Sequence, residues 1–284
     1  MLLAAAVGST RAHTHIHNIV VEGKPQESGK CIRPYMDGFF LPVRGVGGSN
    51  VLCRAMSDDG GSTESCPVKA GSTIALEYHL DMNHASQPID PGHKGPCIAW
   101  LSPLAANGKG DVWVKIGEKG YDPATKRWCI DDLNASNGMM NVTIPADIAD
   151  GEYLLRGEII ALHQAHIPDM VEFYANCVHI KVYGGGSNQL PPGVAIPGVY
   201  KKDDPGILFN IYNGYRNYPI PGPPVYTPPR KDSGSGGGSS RADDPTPTGE
   251  VVVVIDPTPT DSGGKSSGKS NNKSNNKSSS NGKG

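Results

Sequence analysis

A segment rich in hydrophobic residues lies between residues 153 and 162, where tyrosine, leucine, isoleucine and alanine occupy seven of the ten positions. A run of this length, rich in leucine and β-branched residues, favours a buried strand over a helix. Other segments are short and apolar or alternate apolar with polar side chains, which is typical of further strands. They are residues 49–55, 72–82, 97–101, 113–116, 141–144 and 178–182. With a first strand beginning at residue 13, the pattern predicts about eight strands and almost no helix.

This pattern predicts an all-β protein, a two-sheet β-sandwich of the immunoglobulin-like or fibronectin-like type with long loops. The 37 glycines and 25 prolines among 284 residues fit short strands joined by turns. Residues 128–131 and the Asn137-Gly138 pair are expected to be ordinary connections. The length suffices for one large sandwich domain plus additional sequence, and we expect the domain to occupy residues 13–228.

Both ends of the chain differ from this domain in composition. Residues 1–12 contain small and apolar side chains, and we interpret them as the remnant of a signal peptide. Residues 229–284 are dominated by serine, glycine, asparagine and lysine, so we predict a disordered tail. No stretch approaches the ~18 consecutive apolar residues of a membrane span. The net charge of −2 gives no strong attraction to nucleic acid.

A loop-rich segment, residues 186–226, contains five tyrosines and many prolines. Proline does not continue a regular strand ladder, so most of these rings are expected to pack on the surface of the sandwich. An aromatic ring can also stack on a pyranose while its phenol forms a hydrogen bond. Tyr212 and Tyr215 are therefore candidates for substrate binding.

Six cysteines without a CxxC pair indicate disulfides formed in an oxidising compartment, and secretion is the simplest interpretation. Two glycosylation sequons, at Asn134 and Asn141, are compatible with secretion. These observations predict an extracellular protein.

Histidines alternate with other residues at the start of the first predicted strand, at positions 13, 15 and 17. Taken alone, this alternation is typical of a solvated edge strand. If processing removes residues 1–12, however, the α-amino nitrogen and Nδ1 of His13 can chelate one metal ion. One further imidazole nitrogen completes a T-shaped set of three nitrogens, which suits Cu(II).

Ionisable side chains follow the 153–162 run, namely His163, Glu172 and Tyr174, and a Pro- and Gly-containing loop carries His93 ahead of another strand. Together with further segments, this arrangement resembles the fungal lytic polysaccharide monooxygenases of auxiliary activity family 9. The segments that carry the resemblance are Ala12-His13-Thr14, His93-Lys94-Gly95-Pro96, residues 156–163, Glu172-Phe173-Tyr174 with Cys177, residues 197–200 and residues 204–212. They occur in the family's order across roughly residues 13–226.

The resemblance implies one copper ion per chain, with His13 and His93 as ligands and Tyr174 on the axial side. It also implies that His163 donates a hydrogen bond to bound oxygen. Glu172 stands where the family usually has glutamine, and an ionised carboxylate accepts hydrogen bonds but cannot donate them. His79 and His84 are expected to be surface or packing residues, and His166 and His179 lie outside the motif.

Cysteine pairing is implied only in part. By resemblance, Cys53 pairs with Cys177. The remaining four cysteines, Cys31, Cys66, Cys97 and Cys129, allow three arrangements, of which we favour the one with Cys97–Cys129.

The resemblance implies a secreted monomer that oxidatively cleaves cellulose or another β-1,4-glucan with dioxygen or hydrogen peroxide and an external electron donor. The principal alternative is a non-catalytic copper- or carbohydrate-binding sandwich that retains the metal site. A hydrolase requires two carboxyl groups facing one bond. Arg156 and Glu158 are instead expected to form a structural ion pair or a charged pair near the floor of the site.

Overall fold

The computed structural model describes residues 14–35, 41–54, 63–80 and 87–229. Within them the chain forms twelve strands, one α-helix and two short 3-10 turns. The strands are β1 (His15–Val21), β2 (Lys24–Pro25), β3 (Val43–Arg44), β4 (Cys66–Lys69), β5 (Thr73–His79), β6 (Cys97–Pro103), β7 (Val114–Lys119), β8 (Tyr121–Asp122), β9 (Arg127–Trp128), β10 (Met139–Thr143), β11 (Gly151–Ala161) and β12 (Glu172–Tyr183). The helix α1 is Cys129–Ala135, and the 3-10 turns are Ser49–Val51 and Leu104–Ala106.

Two sheets form the sandwich that the sequence predicts. The first has the strand order β10-β5-β1-β2, and the second has the order β3-β12-β11-β6-β7 with β4 also paired to β12. The longest pairing joins β11 and β12 in antiparallel register, from Gly151 opposite Val182 to Ala161 opposite Glu172. This long hairpin forms the centre of the second sheet, and β8 and β9 form a separate small hairpin.

Side chains of β11 alternate between two hydrophobic layers. Leu155 and Ile159 belong to the core between the two sheets, whereas Leu154 and Ile160 pack in a second cluster on the other face. That second cluster includes side chains of the loop-rich segment, such as Tyr200. Because both faces of the sheet are covered, its central strand carries buried apolar side chains on both faces, before and after the buried Arg156 and Glu158.

Three disulfides connect distant parts of the described chain. Cys31 is bonded to Cys66, Cys53 to Cys177 and Cys97 to Cys129, and no free cysteine is present. The structure thus contains the Cys53–Cys177 pair that the resemblance implies and, among the three open arrangements, the one that includes Cys97–Cys129. The Cys53–Cys177 bond connects the segment after Ser49–Val51 to β12.

Two predictions of local structure were wrong. Residues 49–54 of the predicted strand 49–55 form a 3-10 turn and bends, and the carbonyl oxygens of Val51 and Leu52 accept hydrogen bonds from the Arg156 side chain. These carbonyls are satisfied by a side chain, so no strand ladder forms there. Residues 128–131, predicted as a simple connection, include the first turn of α1. The backbone N–H of Trp128 donates to Asp131 Oδ2 at 2.9 Å, which stabilises this helix N-terminus.

The description of the first strand as a solvated edge strand was also wrong. β1 lies between β2 and β5, and both His15 and His17 are buried. His79 is a packing residue, fully buried and 3.1 Å from Glu77 Oε1 through its Nε2. In the described ranges, no helix is long and apolar enough to cross a membrane. His84, residues 1–13 and residues 230–284 lie outside the described residues, so the predictions for the signal-peptide remnant and the tail stay predictions.

Candidate metal centre

The end of the β11–β12 hairpin places three of the predicted side chains together. His163 follows the last residue of β11 by two positions, and Glu172 is the first residue of β12. Glu172 and Tyr174 are separated by one residue in a strand, so their side chains lie on the same face of the sheet. The loop 162–171 therefore returns the chain so that His163 lies next to this pair.

A second segment brings His93 to the same place. The loop before β6 runs beside the end of β11, where the backbone N–H of Leu162 donates to the carbonyl of Lys94 at 2.8 Å. The N–H of Ile160 donates to the carbonyl of Pro96 at 3.1 Å. Between these bonds, a Cβ on Gly95 would lie 1.8 Å from the carbonyl oxygen of Ile160. Only glycine permits this close approach of the two backbones, which is why the motif places glycine here.

The two imidazoles face one carboxylate oxygen. The Nε2 atoms of His93 and His163 lie 3.8 and 3.7 Å from Glu172 Oε2, and the ring centroids of the two histidines are 4.2 Å apart. One ligand atom from each of these three residues lies within 4.8 Å of the others. His93 and Glu172 are buried, whereas His163 is partly exposed. Among the described residues, this is the one group of three or more histidine, cysteine or acidic side chains with metal-site spacing.

Glu172 divides its two oxygens between different partners. Oε1 accepts hydrogen bonds from Nε and Nη2 of Arg44, at 3.0 and 2.9 Å, and Oε2 accepts one from the Tyr174 hydroxyl at 2.9 Å. Arg44 was not among the predicted site residues. It comes from β3, a strand of two residues that has no recognisable periodicity, and only the β3–β12 pairing places it opposite Glu172.

Tyr174 remains a neutral phenol in this environment. Burial, followed by the charge of Glu172 and the hydrogen bond to it, raises the pKa of the Tyr174 hydroxyl far above its ordinary value. A neutral phenol is a weak metal ligand.

The other predicted site residues are placed as follows. His13 lies outside the described residues. Tyr212 is 68% exposed, and its hydroxyl donates to the carbonyl oxygen of His163 at 3.1 Å, so it borders the site. Tyr215 packs among aromatic rings and its hydroxyl accepts a hydrogen bond from Trp128 Nε1 at 2.7 Å. Its role in substrate binding stays a prediction, and this hydrogen bond gives it a packing role.

The histidines assigned outside the site do not join the cluster. His166 is exposed and lies edge-on to Tyr212, and His179 is buried, where it accepts a hydrogen bond from Arg33 Nε at 2.8 Å. The sequon residues Asn134 and Asn141 are partly buried, in α1 and β10. Glycosylation at these two positions stays a prediction.

A sequence profile of Auxiliary Activity family 9 (formerly GH61) matches residues 13–218. The chain belongs to Auxiliary Activity family 9. The resemblance found in the sequence motifs is therefore confirmed, and the match begins at the histidine that the motif analysis assigned to the metal.

Curated and solved proteins agree with this family membership. An AA9 family lytic polysaccharide monooxygenase A from Aspergillus kawachii is 40% identical over 229 residues, which are 80% of this chain and 56% of that relative. The chain thus matches little more than half of that relative's length. The solved structure CvAA9A is 32% identical and superposes with a TM-score of 0.70, covering 75% of this chain and 98% of that one. A cellulose-active polysaccharide monooxygenase from M. thermophila is 28% identical with a TM-score of 0.62, covering 75% of this chain and 99% of that one.

The residues of the described cluster occupy motif positions of Auxiliary Activity family 9. His93, His163 and Tyr174 occupy the motif positions that the resemblance assigns to a ligand, a hydrogen-bond donor and an axial group, and the structure brings all three together. Glu172, at the position where the family usually has glutamine, lies between them with a charged partner in Arg44.

Proposed function

We propose that this chain is a secreted, monomeric, copper-dependent monooxygenase that oxidatively cleaves β-1,4-glucans such as cellulose. The observation that carries the proposal is the convergence of His93, His163 and Tyr174 around Glu172 at one end of the sandwich. Membership of Auxiliary Activity family 9 supports it, as does similarity to a relative named a lytic polysaccharide monooxygenase.

The donor set fits copper. Imidazole nitrogens and a weak oxygen donor suit Cu(II), and the described part of the cluster supplies the His93 imidazole and the Tyr174 phenol, whose ring centroids are 5.9 Å apart. His13 and His93 would hold the ion, and Tyr174 would lie beside it as a weak oxygen donor. The bound copper would supply the redox chemistry that oxidises a C–H bond beside the glycosidic oxygen, with dioxygen or hydrogen peroxide as oxidant and electrons from an external donor.

The chain's own residues would control the hydrogen bonds and the charge around the bound copper. The Tyr174 proton is engaged with Glu172 Oε2, so the phenol stays neutral and its oxygen competes weakly for the metal. The partly exposed imidazole of His163 would donate a hydrogen bond to the oxidant. Arg44 offsets the negative charge of the buried Glu172 carboxylate.

An exposed surface beside the site suits a polymer. Tyr212 is the most exposed large hydrophobic side chain of the described residues, and Ile167 and Leu208 are also exposed. Because the Tyr212 hydroxyl is bonded to the backbone of His163, its ring is held next to the metal centre. We propose that this ring stacks on a sugar of the glucan chain.

The decisive experiment incubates copper-loaded protein and a reductant with phosphoric-acid-swollen cellulose and analyses soluble products by mass spectrometry. The proposal expects oxidised oligosaccharides that disappear when the reductant is omitted or when copper is removed with a chelator. Unmodified oligosaccharides would indicate a hydrolase. Copper binding without any soluble product from cellulose or other β-glucans would indicate the non-catalytic binding protein.

A protein that retains one extra residue before His13 is expected to bind copper more than tenfold more weakly than one that begins at His13. The extra peptide bond removes the free α-amino nitrogen and therefore the proposed chelate. Competitive titration of Cu(II) measures the two values of Kd, and a tenfold change corresponds to ~1.4 kcal/mol.

The matched control for this titration is His163→Ala in the protein that begins at His13. Its imidazole is assigned to the oxidant and not to the metal, so its Kd should stay close to the wild-type value. Equal copper affinity of the extended and mature proteins would contradict the proposed ligand set.

A further inference from the structure

The carboxylate of Glu172 is buried beside the metal centre, with 2% of its side chain exposed, and its two oxygens have different partners. Oε2 faces the imidazoles of His93 and His163 and accepts the Tyr174 hydroxyl. Oε1 points the other way and accepts two hydrogen bonds from Arg44. The orientation of the carboxylate therefore decides whether one of its oxygens faces the metal centre.

Glutamate does not fix this orientation by itself. The last torsion of its side chain is broad, so a carboxylate rotates readily unless its oxygens are held. Arg44 lies directly opposite Glu172 in the antiparallel β3–β12 pair, and its Nε and Nη2 both bond Oε1. The hydrogen bonds to an ionised group are stronger than neutral ones. Arg44 thus fixes the position of Oε1, and Oε2 faces the two histidines of the metal centre.

Arg44 also determines the charge that the centre experiences. A buried carboxylate is costly unless it is paired, and here it lies within 4 Å of two imidazole nitrogens. The guanidinium places a compensating positive charge on the far side of the same carboxylate. The Arg44 side chain is 52% exposed, so it can be replaced without opening a cavity in the core.

We propose that Arg44 is a positioning residue that holds the Glu172 carboxylate with Oε2 turned toward His93, His163 and Tyr174. The proposal deepens the proposed function, because the metal centre is the group whose surroundings Arg44 would determine. Removal of Arg44 takes its positive charge away from the Glu172 carboxylate, which favours Cu(II) over Cu(I) and lowers the reduction potential of the loaded protein.

Metal-free protein provides the first test. Arg44→Gln should lower Tm by on the order of 5 °C, and the same change in a Glu172→Gln background should cost much less, because no buried charge is left unpaired. Histidine ring resonances of His93 and His163 in NMR spectra should also shift in Arg44→Gln. The matched control is Arg127→Gln, which removes another partly exposed arginine whose Nε bonds a carboxylate, that of Asp132. It should leave those resonances unchanged.

Copper-loaded protein provides the second test. Arg44→Gln should change the Cu(II) electron paramagnetic resonance spectrum and lower the reduction potential, and Arg44→Lys should restore both in part by returning the charge. Equal Tm losses in the Glu172 and Glu172→Gln backgrounds, or wild-type histidine resonances in Arg44→Gln, would overturn the proposal. If the wild-type protein binds no copper, the proposed function fails, while the metal-free measurements still decide the role of Arg44.

Discussion

Gly95→Ala is expected to destabilise the fold by about 3 kcal/mol and to weaken copper binding, because the added methyl group has no space. A Cβ at this position would lie 1.8 Å from the carbonyl oxygen of Ile160 and 2.9 Å from its carbonyl carbon. Both are backbone atoms of β11, and they cannot move aside as a flexible side chain can. The φ angle is not in the left-handed region, so the conflict is steric.

The two backbone hydrogen bonds that flank Gly95 determine the consequence for the site. They join Leu162 to Lys94 and Ile160 to Pro96, and a methyl group between them forces the loop away from β11. Each bond contributes about 1 kcal/mol. Since His93 is two residues from Gly95 and His163 is one residue from Leu162, separating these segments moves one imidazole away from the other.

Urea-induced unfolding of the metal-free protein and a Cu(II) titration measure the two effects. Gly47→Ala is the matched control, because a Cβ at Gly47 has no neighbour within 4 Å and its φ is not positive. That variant should stay within about 0.5 kcal/mol of wild type. The explanation of the motif glycine is wrong if Gly95→Ala matches Gly47→Ala in both measurements.

The central hairpin could be predicted from the sequence because it is covered on both faces. Burial of Leu154 and Ile160 on one side and of Leu155 and Ile159 on the other gives a strand that is rich in apolar residues on both faces. The site residues were predicted from the family motif instead. His93, His163 and Tyr174 match that motif, whereas their local hydrophobic pattern does not indicate that they lie close together in the fold.

The helix α1 was missed because its N-terminus lacks the usual signal. The residue before the helix is Trp128, whereas serine, threonine, aspartate or asparagine normally marks that position. Its backbone N–H is satisfied by Asp131 from inside the helix. Seven residues are too few for a hydrophobic period to indicate a helix, and the contacts of Cys129, Ile130 and Leu133 with the core stabilise it instead.

Arg44 could not have been assigned from the sequence. It is 128 residues away from Glu172, in a two-residue strand, and its partner is decided by the β3–β12 register. The substitution at position 172 is visible in the sequence as an acidic residue near two histidines. Its consequence depends on the guanidinium across the sheet, which only the folded chain brings there.

Arg156→Met is expected to destabilise the protein by about 4 kcal/mol, because it leaves a carboxylate buried without its cationic partner. Arg156 and Glu158 are both fully buried on β11, and Arg156 Nη2 lies 2.5 Å from Glu158 Oε1. The arginine also donates to the carbonyl oxygens of Val51 and Leu52. The pair is therefore the structural ion pair that the sequence predicts, and it also holds the segment that precedes Cys53.

Glu158 retains two neutral partners when the arginine is removed. Trp100 Nε1 donates to Oε2 at 3.1 Å, and the Tyr200 hydroxyl donates to the same oxygen at 2.7 Å. Burial and the charge of Glu158 raise the pKa of the Tyr200 hydroxyl well above its ordinary value, so it stays a donor. These bonds satisfy one oxygen but do not neutralise the charge, and Oε1 is left without its charged donor.

A double-mutant cycle separates the lost charge pairing from the lost packing. Arg156→Met in a Glu158→Gln background should cost at least ~1 kcal/mol less than in wild type, since no charge is then buried alone. The residual loss reports the hydrogen bonds to Val51 and Leu52, which both backgrounds lose.

Arg127→Met is the matched control, since Arg127 is 43% exposed in its pair with Asp132, and should cost less than about 1 kcal/mol. Urea-induced unfolding of metal-free protein measures all of them. Equal losses for Arg156→Met in the two backgrounds would mean that pairing of charge contributes nothing, and that the arginine stabilises the sandwich only by its bonds to the backbone.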